Sequence, residues 1–305
     1  MLVISALTFV AAGLMLVAIA VMQNGLGGEL ATASPSVAAA SQAGTASPVP
    51  SGAERPSIGS GVGASWTTVA TFPGATVSDV TAGGPGWVAV GSAGAVGCEI
   101  CPAIETYTGM IWSSTNGRTW DEVAFSDADG VPLYAVASGP LGLVAVGRQA
   151  VGSIGQQQLL VSADGDDWTR LSGTPFEVPG TSVNDVAGRS IYVAAGSVAE
   201  PEQDGQAALW TSANGRDWEE VYRSTEDGWI DQVVPNGSGW VAVGTVFRPV
   251  SGNVRASIPF PAVWDSADGQ TWAQRDLPLP ATAGGGSAQA LLDGAAGVVA
   301  VGYGE

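Results

Sequence analysis

One recurring phrase constrains this chain more than any other feature. It reads Ser114-Thr115-Asn116-Gly117-Arg118-Thr119-Trp120, then Ser162-Ala163-Asp164-Gly165-Asp166-Asp167-Trp168, then Ser212-Ala213-Asn214-Gly215-Arg216-Asp217-Trp218, then Ser266-Ala267-Asp268-Gly269-Gln270-Thr271-Trp272. Successive tryptophans lie 48, 50 and 54 residues apart, and Trp66 stands 54 residues before Trp120 as the tail of an earlier copy. A period of this length means one supersecondary unit repeated side by side. Asn-Gly or Asp-Gly between β-prone flanks predicts a hairpin, with the Ser and Asn/Asp side chains bonding the turn amides and the Trp opening the returning strand.

A second phrase interleaves with the first: Gly86-Trp87-Val88-Ala89-Val90-Gly91, Gly142-Leu143-Val144-Ala145-Val146-Gly147, the looser Ser190-Ile191-Tyr192-Val193-Ala194-Ala195-Gly196, Gly239-Trp240-Val241-Ala242-Val243-Gly244, and Gly297-Val298-Val299-Ala300-Val301-Gly302. So short and apolar a run suits a strand buried on both faces. Segments such as Val77-Ser78-Asp79-Val80 and Ile230-Asp231-Gln232-Val233 precede it as first strands. Ile111-Trp112-Ser113 and its equivalents end third strands, and the Trp begins the fourth. Four antiparallel strands per period of about 50 residues predict an all-β protein, a β-propeller of four-stranded blades.

Complete blades are expected over 76–125, 131–171, 181–223 and 229–276, with a partial fifth over 287–303 joined by Trp66 to Thr71. Either a five-bladed ring closes on that partial blade, or the chain is part of a larger propeller. An end directly after the Val301-Gly302 phrase favours the second.

The four hairpins resemble the Asp-box, or BNR, repeat of sialidase-like propellers, over residues 65–305. The resemblance implies the propeller fold. It leaves function open, because the hairpin also occurs in non-catalytic propellers. These copies run Ser-x-Asp/Asn-Gly-x-x-Trp, one residue shorter than the family pattern, which implies a tighter turn. No arginine triad, Tyr–Glu nucleophile pair or acid in the family's arrangement can be matched, so no catalytic residue is carried over. The reading is therefore of a non-catalytic member.

Composition removes several chemistries. The chain has no His, and its ten basic residues are all Arg. A His base, a Lys Schiff base and a His-ligated metal are excluded. A formal charge of −18 argues against nucleic acid as a partner. Charged residues make up only 12%, while Gly and Pro together number 62 of 305, in keeping with a turn-rich β protein.

Leu2 to Met22 carries no charge, and as a helix would span a bilayer core, so residues 1–30 are read as a signal anchor or transmembrane segment. Cleavage after Ala31-Thr32-Ala33 would instead release a secreted head. Residues 31–64, nearly all Ala, Ser, Pro, Gly, Val and Thr, form a linker, and 65–305 form the propeller. The head is placed outside the cytoplasm, with the N-terminal helix as its contact with the membrane.

In an up-and-down blade, the 2–3 and 4–1 loops share one face, and that face holds the longer insertions: Ser92 to Thr108, Arg148 to Gln158, Ser197 to Gln206 and Thr245 to Pro261. Candidate binding residues there are Glu99, Glu105, Asp127, Asp129, Glu202, Asp204, Arg248 and Arg255, with Glu177, Glu200, Glu226 and Asp227 adding to the acidity. Asp127-Ala128-Asp129-Gly130 looks like the start of a calcium loop but lacks the later ligands, so no metal or other cofactor is assigned. Cys98 and Cys101 are read as a local disulfide. All eleven tryptophans fall at repeat positions and are assigned to packing between blades rather than to sugar stacking. The expected function is binding or scaffolding of a protein or glycan through the 2–3 and 4–1 face. The alternatives are a sialidase-like glycoside hydrolase with an incomplete catalytic set, and a purely structural surface module.

Overall fold

Short β-prone runs punctuated by Gly build a chain of small antiparallel sheets. The computed structural model describes residues 3–7, 18–22, 68–94, 107–125, 130–151, 154–200, 205–250, 253–279, 284–294 and 297–304. Among them there is no α-helix, only a 3-10 turn at Pro175–Glu177. The strands are β1 Val3–Leu7, β2 Ala18–Met22, β3 Ala75–Gly83, β4 Gly86–Gly94, β5 Tyr107–Ser114, β6 Asp121–Glu122, β7 Leu133–Gly139, β8 Gly142–Val151, β9 Ile154–Ser162, β10 Thr169–Leu171, β11 Thr181–Gly188, β12 Tyr192–Val198, β13 Gln206–Ser212, β14 Glu219–Asn236, β15 Gly239–Val250, β16 Asn253–Ser266, β17 Ala273–Asp276, β18 Gly286–Gly294 and β19 Gly297–Gly304.

Four meanders follow the repeat: β3-β4-β5-β6, then β7-β8-β9-β10, then β11 to β17 as two units fused in one sheet, with the pair β18-β19 last. Fusion comes from β14, which pairs with β13 as the last strand of the third unit and with β15 as the first strand of the fourth. The first strands neighbour one another in the order β3, β7, β11, β14, β18. This is the propeller plan, with the first strand of each unit nearest the axis. The expected blade boundaries agree with these meanders to within a few residues.

Apolar faces of successive units close on each other. Trp210 of β13 is buried in one cluster with Ala135, Val144 and Leu159 of the second unit, and Phe176 meets its ring edge-on at 5.5 Å. Trp264 of β16 is buried with Val193 and Leu209 of the third unit. Val88 and Val90 of the first unit are buried with Leu143, Leu160 and Trp168 of the second.

Each first strand carries one extra residue. The ladder skips Ser78 in β3, Tyr134 in β7, Asn184 in β11, Asp231 in β14 and Gln289 in β18, a β-bulge at the same place every time. The bulge explains the glycine that ends the Val-Ala-Val phrase. A Cβ on Gly91, Gly196, Gly244 or Gly302 would fall 1.9–2.1 Å from the carbonyl oxygen of Thr76, Ser182, Trp229 or Ser287. No side chain fits so close an approach.

Side chains at or beside the bulge tie each first strand to the next. The Val136 N–H donates to Asp79 Oδ2 at 2.8 Å, and the Tyr134 hydroxyl donates to the Val183 carbonyl at 2.7 Å. Asn184 Nδ2 donates to the Ile230 carbonyl at 2.8 Å, while the Val233 N–H donates to Asp185 Oδ2 at 2.9 Å. The Leu291 N–H donates to Gln232 Oε1 at 2.5 Å.

The hairpin phrase forms a longer loop than a two-residue turn. Paired residues Val161 and Thr169 leave 162–168 unpaired, and the other three copies leave the same seven positions. The Trp therefore sits one residue before the fourth strand rather than opening it. Ser162 Oγ accepts from the Gly165 N–H at 2.8 Å, and Asp164 Oδ1 accepts from the Asp166 and Asp167 N–H groups, both at 3.0 Å. Ser114/Asn116, Ser212/Asn214 and Ser266/Asp268 repeat these bonds. Asn serves as well as Asp because only one acceptor oxygen is used. The glycines Gly117, Gly165, Gly215 and Gly269 hold φ of +69° to +92°. The indole N–H then donates to the Gly carbonyl from Trp168, Trp218 and Trp272 at 2.9, 3.1 and 2.9 Å. Trp120 makes no such bond, and its buried Nε1 has no partner.

Three expectations are corrected. The described parts of the uncharged N-terminal stretch are strand rather than the helix expected over 2–22: Val3–Leu7 pairs antiparallel with Ala18–Met22. Val3, Ile4, Ile19 and Val21 are β-branched and favour strand over helix. No helix among the described residues is long and apolar enough to cross a membrane. The segments expected as 2–3 loops at Arg148 to Gln158 and Thr245 to Pro261 are largely regular ladder, pairing Arg148 with Gln157 and Thr245 with Pro261. The linker over 31–64 and Trp66 lie outside the described residues, and Thr68 to Thr71 has no regular structure.

Gly196→Ala is expected to lower stability by about 1–3 kcal/mol through overpacking against the Ser182 carbonyl, read as a shift in urea midpoint. Trp272→Phe should cost about 1 kcal/mol more than Trp120→Phe, because only the first orphans a carbonyl. Equal losses in the two variants would refute the role given to the indole bond.

Candidate functional site

The bulged residues do more than link strands. Tyr134, Asn184, Asp231 and Gln289, from four successive first strands, line one cavity of ≈ 560 Å³ together with Pro132, Arg148, Gln157, Ser182 and Val183. Pro132 and Ser182 stand at the start of first strands, and Arg148 and Gln157 at the hairpin end of β8 and β9, so the cavity opens on the end where the 2–3 and 4–1 connections meet.

Arg148 and Asp231 are the two charged residues of the lining. Asp231 Oδ2 accepts from the Trp229 indole at 3.1 Å, and burial pushes its carboxyl up to about 6 against that bond. Trp229 itself is 38% exposed and stacks at a tilt on Phe247, 5.1 Å between centroids. It is therefore a surface aromatic beside the cavity, not the packing residue expected from its place in the repeat. Burial holds the Tyr134 hydroxyl above the ordinary phenol range, with the Arg148 charge and Gln157 opposing. Tyr134 and Gln157 meet through hydroxyl and side-chain amide.

One residue after the bulge, Asp79 and Asp185 hold their carboxyl oxygens on backbone N–H groups. Asp79 accepts from the Val80 and Val136 N–H groups, and Asp185 from those of Val186 and Val233. Burial pushes Asp79 up to about 7. Asp185 is raised well above the carboxylate range by burial first and by the nearby Asp79 second.

Of the residues chosen from sequence, Arg248 is well defined and is not a free binding group. Its guanidinium is held between Glu226 at 2.7 Å and Asp276 at 2.8 Å, over the Phe260 ring. Gln274 Nε2 also donates to Glu226, and Arg248 pulls both carboxyls below their usual range. Glu226 and Asp227 belong to β14 rather than to a loop. Glu177 ends the 3-10 turn and accepts from the Gly173 N–H. The Ser, Asn/Asp, Gly and Trp of the four hairpin loops are consumed by their own turns. Cys98, Glu99, Cys101, Glu105, Asp127, Asp129, Glu202, Asp204 and the side chain of Arg255 lie outside the described residues. Among the described residues, no group of three or more Cys, Asp or Glu is placed to hold a metal.

Sequence reasoning missed Tyr134, Asn184, Asp231 and Gln289 as a set. The signal was present: a polar residue follows Val77, Leu133, Val183, Ile230 and Ala288, at the same place in every first strand.

No family model matches the chain, and no curated protein matches it. Solved structures do. A structure from the GH130 family of mannoside phosphorylases, which contains glycoside hydrolases targeting β-1,2 mannosidic linkages in Candida mannan, is 13% identical, with 67% of this chain and 70% of that chain covered and a TM-score of 0.39. A glycosyl hydrolase from Bacteroides ovatus is 12% identical over 75% of this chain and 83% of its own, at a TM-score of 0.41. A Bombyx mori GH32 β-fructofuranosidase is 13% identical over 58% and 43%, at 0.34. At these scores the likeness carries nothing about residues or activity, and the fold rests on the strand order above.

Asp79 and Asp185 give stability a pH signature. Their folded values lie above the ordinary 3.8, so folding takes up protons. The contribution of Asp79 is complete below about pH 4 and is lost as pH rises to about 7, at up to about 1.4 kcal/mol per pH unit, and that of Asp185 is lost in the same direction. The unfolding free energy should fall across that window. Asp79→Asn, whose amide can accept only one of the two N–H groups, should be less stable at pH 4 and show a shallower fall. An equal fall in both proteins would refute the assignment to Asp79.

Proposed function

We propose that this propeller is a binding module that takes a small polar ligand in its axial cavity. The observation that carries this reading is the convergence of four bulged residues, all polar and all different, on one cavity. Rigid strands place them, which suits precise recognition better than loops would. The reading keeps the expected end of the molecule and replaces the acidic loop residues with the axial set.

The Asp-box resemblance is compatible with this reading but does not select it, since its residues are spent within their own turns. A glycoside hydrolase is the second reading. A carboxyl raised to about 6, such as that of Asp231, can act as a proton donor near neutral pH. Glycoside hydrolysis by the usual route needs two carboxyl groups. Asp231 is the one carboxylate among the described residues lining the cavity.

A ligand-observed NMR screen of monosaccharides, amino acids and hydroxy acids tests the main reading. Hits should be weakened at least about tenfold by Asp231→Asn or Gln289→Ala, on the scale of a lost hydrogen bond to a charged group. Hits indifferent to both variants would place binding elsewhere. Hydrolysis of aryl glycosides that is abolished in Asp231→Asn and declines above about pH 6 would favour the hydrolase instead.

A further inference from the structure

The charge layout of the axial cavity narrows the ligand, and this step rests on the binding reading above. Arg148 and Asp231 carry its charge, and among the described residues neither forms an ion pair. Arg223, Arg248 and Arg275 are each paired with one or two carboxylates, whereas Arg148, like Arg118, Arg170, Arg189 and Arg216 among the described residues, is not; what sets Arg148 apart is its place in the cavity lining. Arg148 and Asp231 do not meet each other. They face the same space from different strands, β8 and β14.

Each charge has its own seat. Arg148 lies across Gly155, its diagonal neighbour on the β8–β9 hairpin. A Cβ there would stand 2.0 Å from the Arg148 Nε and 2.8 Å from its Cζ, so the missing side chain leaves room for the guanidinium. Asp231 is oriented by the Trp229 indole, whose ring is partly open to solvent beside it. A carboxylate held by an indole N–H and lacking a cation suits an ammonium, by ion pairing. A planar guanidinium suits a carboxylate. Asn184, Gln157, Ser182 and Gln289 add neutral polar groups between them.

A neutral ligand would leave both charges without a partner, and a ligand of one sign would leave one of them. Electrostatic complementarity is met by a ligand bearing both signs. We infer that the axial cavity recognises a small zwitterion of the amino-acid class, its carboxylate on Arg148 and its ammonium on Asp231 beside Trp229.

The test compares four probes on the full chain: L-leucine, isopentylamine, which lacks the carboxylate, 4-methylpentanoate, which lacks the ammonium, and methyl α-D-mannoside, a neutral polyol. Binding is followed by calorimetry and by the Trp229 indole and Gln289 resonances. L-leucine should shift both resonances and bind at least about tenfold tighter than either fragment, the scale of one charged hydrogen-bonded contact. Arg148→Gln should remove the advantage over the amine alone, and Asp231→Asn the advantage over the acid alone. Arg148→Lys should keep part of the first advantage. Gly155→Ala should weaken leucine binding with the charge intact, by displacing the guanidinium.

Leucine affinity that is unchanged in both charge variants overturns the inference. So does tighter binding of the mannoside; if it shifts Trp229 and Gln289, the axial cavity stands as a ligand site and only the zwitterion fails. If no probe perturbs either resonance, the zwitterion is also refuted, and the binding reading is then decided by its own screen.

Discussion

The architecture depends on a hydrogen bond made sideways, from one first strand to the next. A propeller blade satisfies its own backbone within its sheet, so nothing in the ladder alone holds neighbouring blades at a fixed distance. Here Asp79, Tyr134, Asn184, Asp185 and Gln232 do so, each reaching a backbone group of the following unit. Such bonds are worth about 1 kcal/mol each net. Their larger effect is positional, since the apolar faces behind them are non-directional and would tolerate sliding. Where the link is a carboxylate, burial raises its proton affinity and no cation among the described residues pairs with it, and this couples the hub to pH.

The bulge that creates these links also creates the cavity. An extra residue in a strand breaks the alternation of faces, so that its side chain is left over from the sheet. Repeated in five strands at one register, the leftovers collect around the axis. The same distortion pushes a carbonyl towards the second strand, and there only Gly can stand. The glycine closing each Val-Ala-Val phrase and the polar residue of each first strand are therefore two consequences of one backbone feature.

Much of the fold was legible because its signals are local. The Ser-x-Asp/Asn-Gly-x-x-Trp loop is built from its own side chains, so spacing alone located four loops and, through them, the units. Register is not local, and it was not legible there. The segment 245–261 reads as a long insertion between second and third strands, yet Pro259 and Pro261 lie in β16 opposite Phe247 and Thr245. The Pro261 carbonyl faces the β17 side, where it accepts from Leu277. The missing N–H of both prolines points the same way, beyond the end of β17, and no ladder bond is lost. The axial site was hidden for a related reason. Charged side chains announce themselves in a sequence, and they drew attention to Glu99, Asp127 and Glu202. Asn184 and Gln289 do not, and only the bulge register brings them beside Asp231 and Arg148.

A chain built of repeats supplies its own comparison, and it separates scaffold from site. At the hairpin loops, Ser, Gly and Trp are the same in all four copies, because one geometry imposes one solution. At the last position of the Val-Ala-Val phrase, Gly stands in all five copies for the same reason. The bulge position behaves in the opposite way. Ser78, Tyr134, Asn184, Asp231 and Gln289 occupy one structural place and differ in size, charge and hydrogen-bonding capacity. A purely structural task common to five strands would favour one residue type, as it does a few residues away. Divergence at a shared place, confined to polar side chains, four of the five lining one cavity, is what recognition of an asymmetric ligand by a near-symmetric scaffold requires. By the same comparison, the charged pair Arg148 and Asp231 is a departure from the repeat rather than part of it: the residues at the Asp231 place in the other units are all uncharged.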